Sequence, residues 1–201
     1  MTLENKLGIH HSADLAREEE RLTKKRAVEL FEKKLLDKFE VGTFKGLAAI
    51  HAFLFQDVYA FAGKIRDVNI AKGSFRFAPI MYLEHSLSVI DRMPQTTFDE
   101  IIEKYVEMNV AHPFREGNGR STRIWLDAIL KKNLGLVIDW SKVDKTDYLL
   151  AMERSPIKDV EIKFLLRSAL TSDINNRLVF VNGIDANYHY EGFNVYRAAD
   201  L

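Results

Sequence analysis

Residues 109 to 123 read Asn-Val-Ala-His-Pro-Phe-Arg-Glu-Gly-Asn-Gly-Arg-Ser-Thr-Arg. A histidine, a carboxylate, a Gly-Asn-Gly turn and two spaced arginines stand between two apolar segments. Each type has a chemical use. Gly117 and Gly119 let the backbone approach a ligand closely and permit positive φ. The turn leads into a helical pattern, so its free N–H groups form an anion site reinforced by the helix dipole. Arg120 and Arg123 lie three apart, hence on one face, and can offer guanidinium forks to phosphate oxygens. Glu116 beside an anion nest is out of place unless a divalent cation is shared between carboxylate and phosphates, a role that suits Mg2+. His112 is the group nearby that takes a proton near neutral pH. A Gly-Asn-Gly turn alone is an ordinary helix-to-helix loop; the joint occurrence points to a phosphate ester plus Mg2+ with a histidine base. That chemistry is phosphoryl or nucleotidyl transfer, driven by positioning and charge neutralisation.

Helices must position this run. Phe98, Ile101, Ile102, Tyr105 and Met108 predict one before it, closed by Pro113. Ile124, Trp125, Ala128 and Ile129 predict an apolar helix after it. Thr43 can cap an earlier helix carrying Phe44, Leu47, Ile50 and Leu54, in which His51 reads as a packing histidine. The strand signal is carried by Ile65, Val68 and Ile70 before Lys72-Gly73-Ser74 and by the alternation of Phe75-Arg76-Phe77 after it: a small hairpin with Gly73 at its tip, followed by Pro79 at a helix start. Charge is dense before residue 40, with Leu15, Leu22 and Leu30 on a loose stripe and Ser12 as N-cap, which predicts a surface helix. Helices are also predicted around Tyr148–Met152 and over Ile157–Leu170, whereas Leu178–Val181 reads as either strand or helix.

Composition bounds the class. With 201 residues, 47% apolar and 29% charged, the chain suits one domain with a sizeable core. Lys plus Arg and Asp plus Glu are both 29, so no basic excess points to nucleic-acid coating. There is no cysteine, which excludes disulfides, thiolate nucleophiles and zinc–thiolate sites. No apolar run suits a bilayer or a signal peptide, and the expectation is a cytoplasmic, mostly helical protein with no membrane partner.

His112 to Arg123 resembles the full Fic family signature, His-x-Phe-x-(Asp/Glu)-Gly-Asn-Gly-Arg-x-x-Arg, without a departure. Val41–Leu47, Tyr59–Gly63 and Asn69–Phe77 are similar to the family's core and flap. The resemblance implies an all-α, Fic-type helical domain with a small β-hairpin flap, arranged as an N-terminal helical region (1–40), a Fic core (41–170) and a C-terminal segment (171–201). It implies transfer of AMP from ATP to a hydroxyl of a target protein, with release of pyrophosphate. In that analogy His112 deprotonates the hydroxyl, Phe114 anchors the loop and Glu116 holds Mg2+. Gly117, Asn118 and Gly119 cradle the phosphates, and Arg120 and Arg123 neutralise the outer ones. Lys72, Gly73, Ser74, Phe75, Arg76 and Phe77 form the target-docking flap. Lys72 and Asn109 lie near the nucleotide.

Asn187-Tyr188-His189-Tyr190-Glu191-Gly192 resembles the C-terminal inhibitory helix of class III members, (Ser/Thr)-x-x-x-Glu-(Gly/Asn), with Asn187 replacing the first hydroxyl residue. That implies a Glu191 carboxylate pairing with Arg123 where the γ-phosphate belongs. Glu191 is also implicated in removal of AMP, through a held water. Tyr188, and less so Tyr190, is a candidate for self-modification; aromatic packing is the competing account of both.

Two other readings follow from the same residues. One is transfer of a different phosphate-containing group, as in the related Doc toxins that phosphorylate. The other is a non-catalytic nucleotide-binding regulatory module. The target carries a Tyr, Ser or Thr hydroxyl, and the resemblance offers the ATP-using subunits of type II topoisomerases as a lead. Homo-oligomers are compatible with the helical surface.

Overall fold

The computed structural model describes residues 2–73 and 75–201. Among them are eight α-helices and two two-stranded antiparallel ribbons. In chain order these are α1 (Ser12–Glu32), α2 (Phe44–Phe55), β1 (Ala71–Lys72), β2 (Phe75–Arg76), α3 (Ile80–Asp91), α4 (Phe98–Ala111) and α5 (Asn118–Leu134). Then follow β3 (Val137–Ile138), α6 (Lys145–Arg154), α7 (Val160–Ser168), β4 (Leu170–Thr171) and α8 (Arg177–Tyr190). None of these helices is long and apolar enough to cross a membrane.

Caps fix several boundaries. Thr43 Oγ1 accepts the Gly46 N–H at 3.2 Å and starts α2. Thr97 and Glu100 form a capping box on α4, which satisfies amides that the helix itself cannot. Asn176 Oδ1 accepts the Leu178 and Val179 N–H groups, so Leu178–Val181 opens helix α8 rather than a strand. The cap of α1 differs from expectation: His11 precedes it in extended conformation and Ser12 is already helical. Helix α7 also stops earlier than its apolar spacing implied. Leu170 leaves it to pair with Ile138, and a two-residue ribbon is too short to show alternation in sequence.

Helix α5 is the central element, packed against α2, α4 and α8. Trp125, Leu126, Ile129 and Leu130 of α5 are at most 1% exposed. The Trp125 indole N–H reaches the Thr43 carbonyl at 3.0 Å, tying the start of α2 to the core. Burial of each such side chain contributes about 1.5–3 kcal/mol, so α5 is the rigid floor on which the site is built.

One expectation about α1 is overturned. It is not a plain surface helix: Glu19, Glu20, Thr23 and Lys24 are buried with Leu15, Ala27 and Leu30. Charge enters the core here because each charge has a partner. Lys24 Nζ lies 3.1 Å from Glu20 and 3.0 Å from Asp185 of α8, and Glu19 pairs with Arg120 of α5. The Glu20 carboxylate also accepts the Val195 and Tyr196 backbone N–H groups, strapping the chain after α8 onto α1.

Candidate active site

Helix α4 ends at Ala111, and His112 follows in the left-handed region at φ 49° and ψ 61°. That turn brings its imidazole against the flap, stacked on Phe77 with ring centroids 3.6 Å apart. His112 Nδ1 lies 3.3 Å from the Asn109 carbonyl. With its proton on that nitrogen, Nε2 keeps a lone pair for an incoming proton. Burial lowers the His112 pKa to about 4, so the ring is neutral at pH 7.

The loop after His112 is held from beneath. Phe114 is fully buried and stacks on His51 at 3.8 Å. His51 Nδ1 accepts the Gly63 N–H at 2.8 Å, so Nε2 carries the proton and donates it to the Glu116 carbonyl at 2.8 Å. His51 is therefore a neutral brace, and burial lowers its pKa to about 3. The Asn118 side chain also turns inward. It accepts the Phe114 N–H at 2.8 Å and donates to the Phe114 carbonyl at 2.7 Å. Its amide fastens the loop, which leaves its backbone, not its side chain, to face a ligand.

Gly117 has φ 77°, and a Cβ there would collide with the Phe55 ring. Helix α5 starts at the next residue. The N–H groups of Asn118, Gly119 and Arg120 have no protein acceptor among the described residues. They form the open positive end of a 17-residue helix. Glu116 sits at the rim with its side chain 43% exposed, where Oε1 accepts from Gly117 N–H at 2.9 Å and Arg120 Nη2 at 3.0 Å.

Neither arginine is a free fork: each is paired with a carboxylate. Arg120 is 1% exposed, with Nη1 2.5 Å from Glu19 and Nη2 on Glu116. Its guanidinium lies between the Phe55, Tyr188 and Phe193 rings, and its buried Nε has no partner among the described residues. Arg123 donates through Nη2 to Glu191 Oε1 at 2.7 Å and through Nη1 to Tyr148 Oη at 3.1 Å. Asn187 accepts from Arg123 through both its side-chain and backbone oxygens, and donates to the Arg120 carbonyl at 3.1 Å. Tail and α5 thus share one polar network. For Glu191, burial alone raises the carboxyl pKa; the charge and hydrogen bond of Arg123 outweigh it and hold the group at about 2.

His112, Glu116, Gly117, Asn118, Gly119, Arg120, Arg123 and Glu191 line one cavity of about 960 Å3, together with Asn109, Lys72, Gly73, Phe75 and Phe77. That is ample for a nucleotide-sized ligand. Arg76 is exposed and does not line the cavity, and Ser74 lies outside the described residues. Tyr188 is fully buried: its hydroxyl donates to Thr23 Oγ1 at 2.7 Å, and burial raises its pKa to about 12. Tyr190 donates to the Trp140 and Val143 carbonyls. Neither hydroxyl is open to modification while α8 is docked.

Sequence reasoning missed Glu19, Arg66, Tyr148 and Phe193. Glu19 had a usable signal, because it falls four residues after Leu15 and eight before Ala27, inside the apolar stripe of α1. A carboxylate on that face needs a buried cation opposite.

Residues 43–130 match the model of the Fic/DOC family. The chain is 32% identical over 216 residues to protein adenylyltransferase VbhT of Bartonella schoenbuchensis, covering 95% of this chain and 44% of that protein. It is 30% identical over 156 residues to the probable protein adenylyltransferase Fic of Salmonella typhimurium, covering 70% of this chain and 73% of that one. This chain belongs to the Fic/DOC family. It spans less than half the length of VbhT. Among solved structures, BepC of Bartonella tribocorum with bound AMPPNP superposes with a TM-score of 0.68 at 20% identity, over 85% of this chain and 93% of that one. The type IV secretion effector BepA superposes with a TM-score of 0.71 at 21% identity, over 96% of this chain and 73% of that one. These likenesses establish the fold.

Proposed function

We propose that the protein transfers AMP from ATP to a hydroxyl of a target protein. The observation that carries this reading is the convergence of His112, Glu116 and the unpaired amides of Asn118, Gly119 and Arg120 on one nucleotide-sized cavity. Membership of a family whose relatives are named protein adenylyltransferases supports it. In the step proposed, the target oxygen forms a bond to the α-phosphorus while the bond to the β-phosphate oxygen breaks. The target proton passes to His112 Nε2, and pyrophosphate leaves. A neutral imidazole with its other nitrogen turned to a carbonyl is prepared for this. The triphosphate's negative charge raises the imidazole pKa from its low starting value, bringing it nearer the working pH. The amides at the start of α5 receive phosphate oxygens.

Mg2+ fits as a shared ligand. Glu116 Oε2 makes no hydrogen bond among the described residues and sits at the cavity rim, and no cluster of three metal-binding side chains exists among them. A single carboxylate plus substrate phosphates is the usual magnesium arrangement. Glu116 would hold the ion, which supplies charge neutralisation at the bridging phosphates.

The C-terminal helix reads as an autoinhibitory plug of the class III kind. Glu191 occupies Arg123 and crowds Gly119, where outer phosphate oxygens would otherwise find both a cation and amides. The flap from Lys72 to Phe77 would receive the target segment as an added strand, with Lys72 and Asn109 beside the nucleotide. Labelling with α-labelled against γ-labelled ATP tests the reading: α-label in protein supports it, whereas γ-label alone assigns phosphorylation. If neither appears, even without Glu191, a non-catalytic module is the better account.

A further inference from the structure

His112 carries a Cβ yet adopts a left-handed backbone, a conformation costing about 1–3 kcal/mol that persists only where the surroundings over-determine it. Arg66 supplies those surroundings. Its Nε donates to the His112 carbonyl at 2.7 Å, Nη1 to Val68 at 2.7 Å, and Nη2 to Ala78 at 2.5 Å and Ala111 at 3.2 Å. Its own backbone N–H donates to the Pro113 carbonyl at 2.8 Å. The side chain is buried and, among the described residues, no carboxylate pairs with it. A lone cation in the interior is costly. Here it is retained with only carbonyl oxygens as acceptors.

Those carbonyls belong to two separate segments that the proposed reaction uses. Ala111 and His112 close α4, whose last carbonyls have no helical donor, and a cation there is also favoured by the helix dipole. Val68 lies just before β1 and Ala78 just after β2, so they are the two roots of the flap. The connection is reinforced by the Ala78 N–H on the Val110 carbonyl at 3.1 Å and by the Phe77 ring on His112. Only a planar guanidinium fork spans all four acceptors. An apolar residue of similar size leaves them without donors, and a lysine reaches them from a single point.

We propose that Arg66 is a positioning residue, a carbonyl clamp that locks the turn carrying His112 and the roots of the flap into one unit. It touches no reacting atom and acts through His112 and the flap. The inference rests on the adenylylation reading for its kinetic consequence, though not for its structural one.

The test uses the full chain with Glu191→Gly as parent, Arg66→Lys as the variant and Lys104→Met as control. Lys104 is likewise a buried cation without a carboxylate partner among the described residues, held by the Gln95 side-chain oxygen at 2.9 Å and the Asp91 and Met93 carbonyls, but it lies outside the cavity. At a temperature where all three are folded, Arg66→Lys is expected to lower saturated AMP transfer about 10- to 100-fold with ATP affinity within about twofold of the parent. Lys104→Met is expected to keep parental turnover. Hydrogen exchange is expected to quicken in Arg66→Lys at Ala78 and His112, and not along α5. Parental turnover with parental exchange in Arg66→Lys overturns the clamp, as does an equal kinetic loss in the control. Should Arg66→Lys fail to fold, Arg66→Gln, which keeps a smaller planar donor, is measured in its place. If the parent transfers no AMP, the functional reading fails alone, and the exchange pattern still decides for or against the clamp.

Discussion

Glu191 Oε1 lies 2.7 Å from Arg123 Nη2, beside the start of α5 that forms the proposed phosphate cradle. The same carboxylate oxygen occupies the space a Cβ would need at Gly119, and the Arg123 guanidinium crowds the same space. One acidic side chain therefore uses the two features an outer phosphate needs: a buried cation and a close approach to helix amides. Glu191 stands in, chemically, for a phosphate oxygen. Its docking is cooperative with the rest of the tail, since Asn187 holds Arg123 and Glu20 holds Val195 and Tyr196.

Removing that carboxylate is expected to raise AMP transfer. Glu191→Gly removes the carboxylate from Arg123, whose remaining bonds to Asn187 and Tyr148 hold it in place, while the strap on α1 keeps α8 docked. Loss of roughly 1.4 kcal/mol of competition corresponds to tenfold, so incorporation from α-labelled ATP should rise by about that factor or more. Unchanged incorporation across ATP concentrations would reject an inhibitory Glu191.

In the same activated background, His112→Ala separates chemistry from binding. The ring touches the Asn109 carbonyl and Phe77 rather than the helix amides. Transfer is expected to fall by about 10²–10⁴-fold, the range of a lost general base. ATP affinity by calorimetry should stay within a few-fold. A matching loss of affinity contradicts a proton-acceptor role.

Much of this arrangement was legible in the chain. Residue types at 112–123 announced an anion site, and the spacing of Ile124, Trp125 and Ile129 announced the buried helix that carries it. What stayed hidden was long-range. Glu19 meets Arg120 across a separation that no local pattern encodes, and a charge-rich segment resembles a solvated face until its partners are known. Arg66 was invisible for a different reason: its acceptors are backbone carbonyls, which leave no residue-type signature. Residue type tells capacity, not direction, so the sequence predicts ligand-facing side chains at Arg120 and Asn118 that the fold turns inward. The α8 start is ambiguous because Leu178, Val179, Phe180 and Val181 form a short apolar run that suits a buried strand as well as a helix, and the Asn176 cap decides it.

Glu19→Gln tests the hidden partnership. Arg120 stays buried but loses a charged partner at 2.5 Å, and Tyr59 loses the charged acceptor of its hydroxyl. Breaking a buried pair from one side costs about 3–5 kcal/mol, and retention of an amide acceptor should hold the loss near the lower end. Denaturant unfolding should therefore show a loss of about 3 kcal/mol. A change below about 0.5 kcal/mol, the size seen at ordinary surface sites, would mean that Glu19 is not buried against Arg120.

Acidification should release the tail through Glu191. Its carboxyl is held at about 2 in the folded chain, below the ordinary 4.5. A carboxyl lowered by folding contributes stability that is fully present above its unfolded value and lost as pH falls through its folded value. The window is therefore roughly pH 4.5 down to 2. The contribution is on the order of 3 kcal/mol at most, an upper limit because part of the side chain faces solvent. His112 also loses stability on acidification, but higher, from its ordinary 6.5 down to about 4, because burial disfavours its charged form. Glu191→Gln keeps the His112 component and removes the carboxylate. Melting midpoints of the two proteins should thus differ most above pH 4.5 and converge as pH approaches 2. The neighbouring Glu191 charge raises the His112 pKa, so in the glutamine variant the His112 window extends slightly lower. Parallel midpoint curves over pH 2–6 would show that Glu191 is not ion-paired in solution, and the plug would then need another anchor.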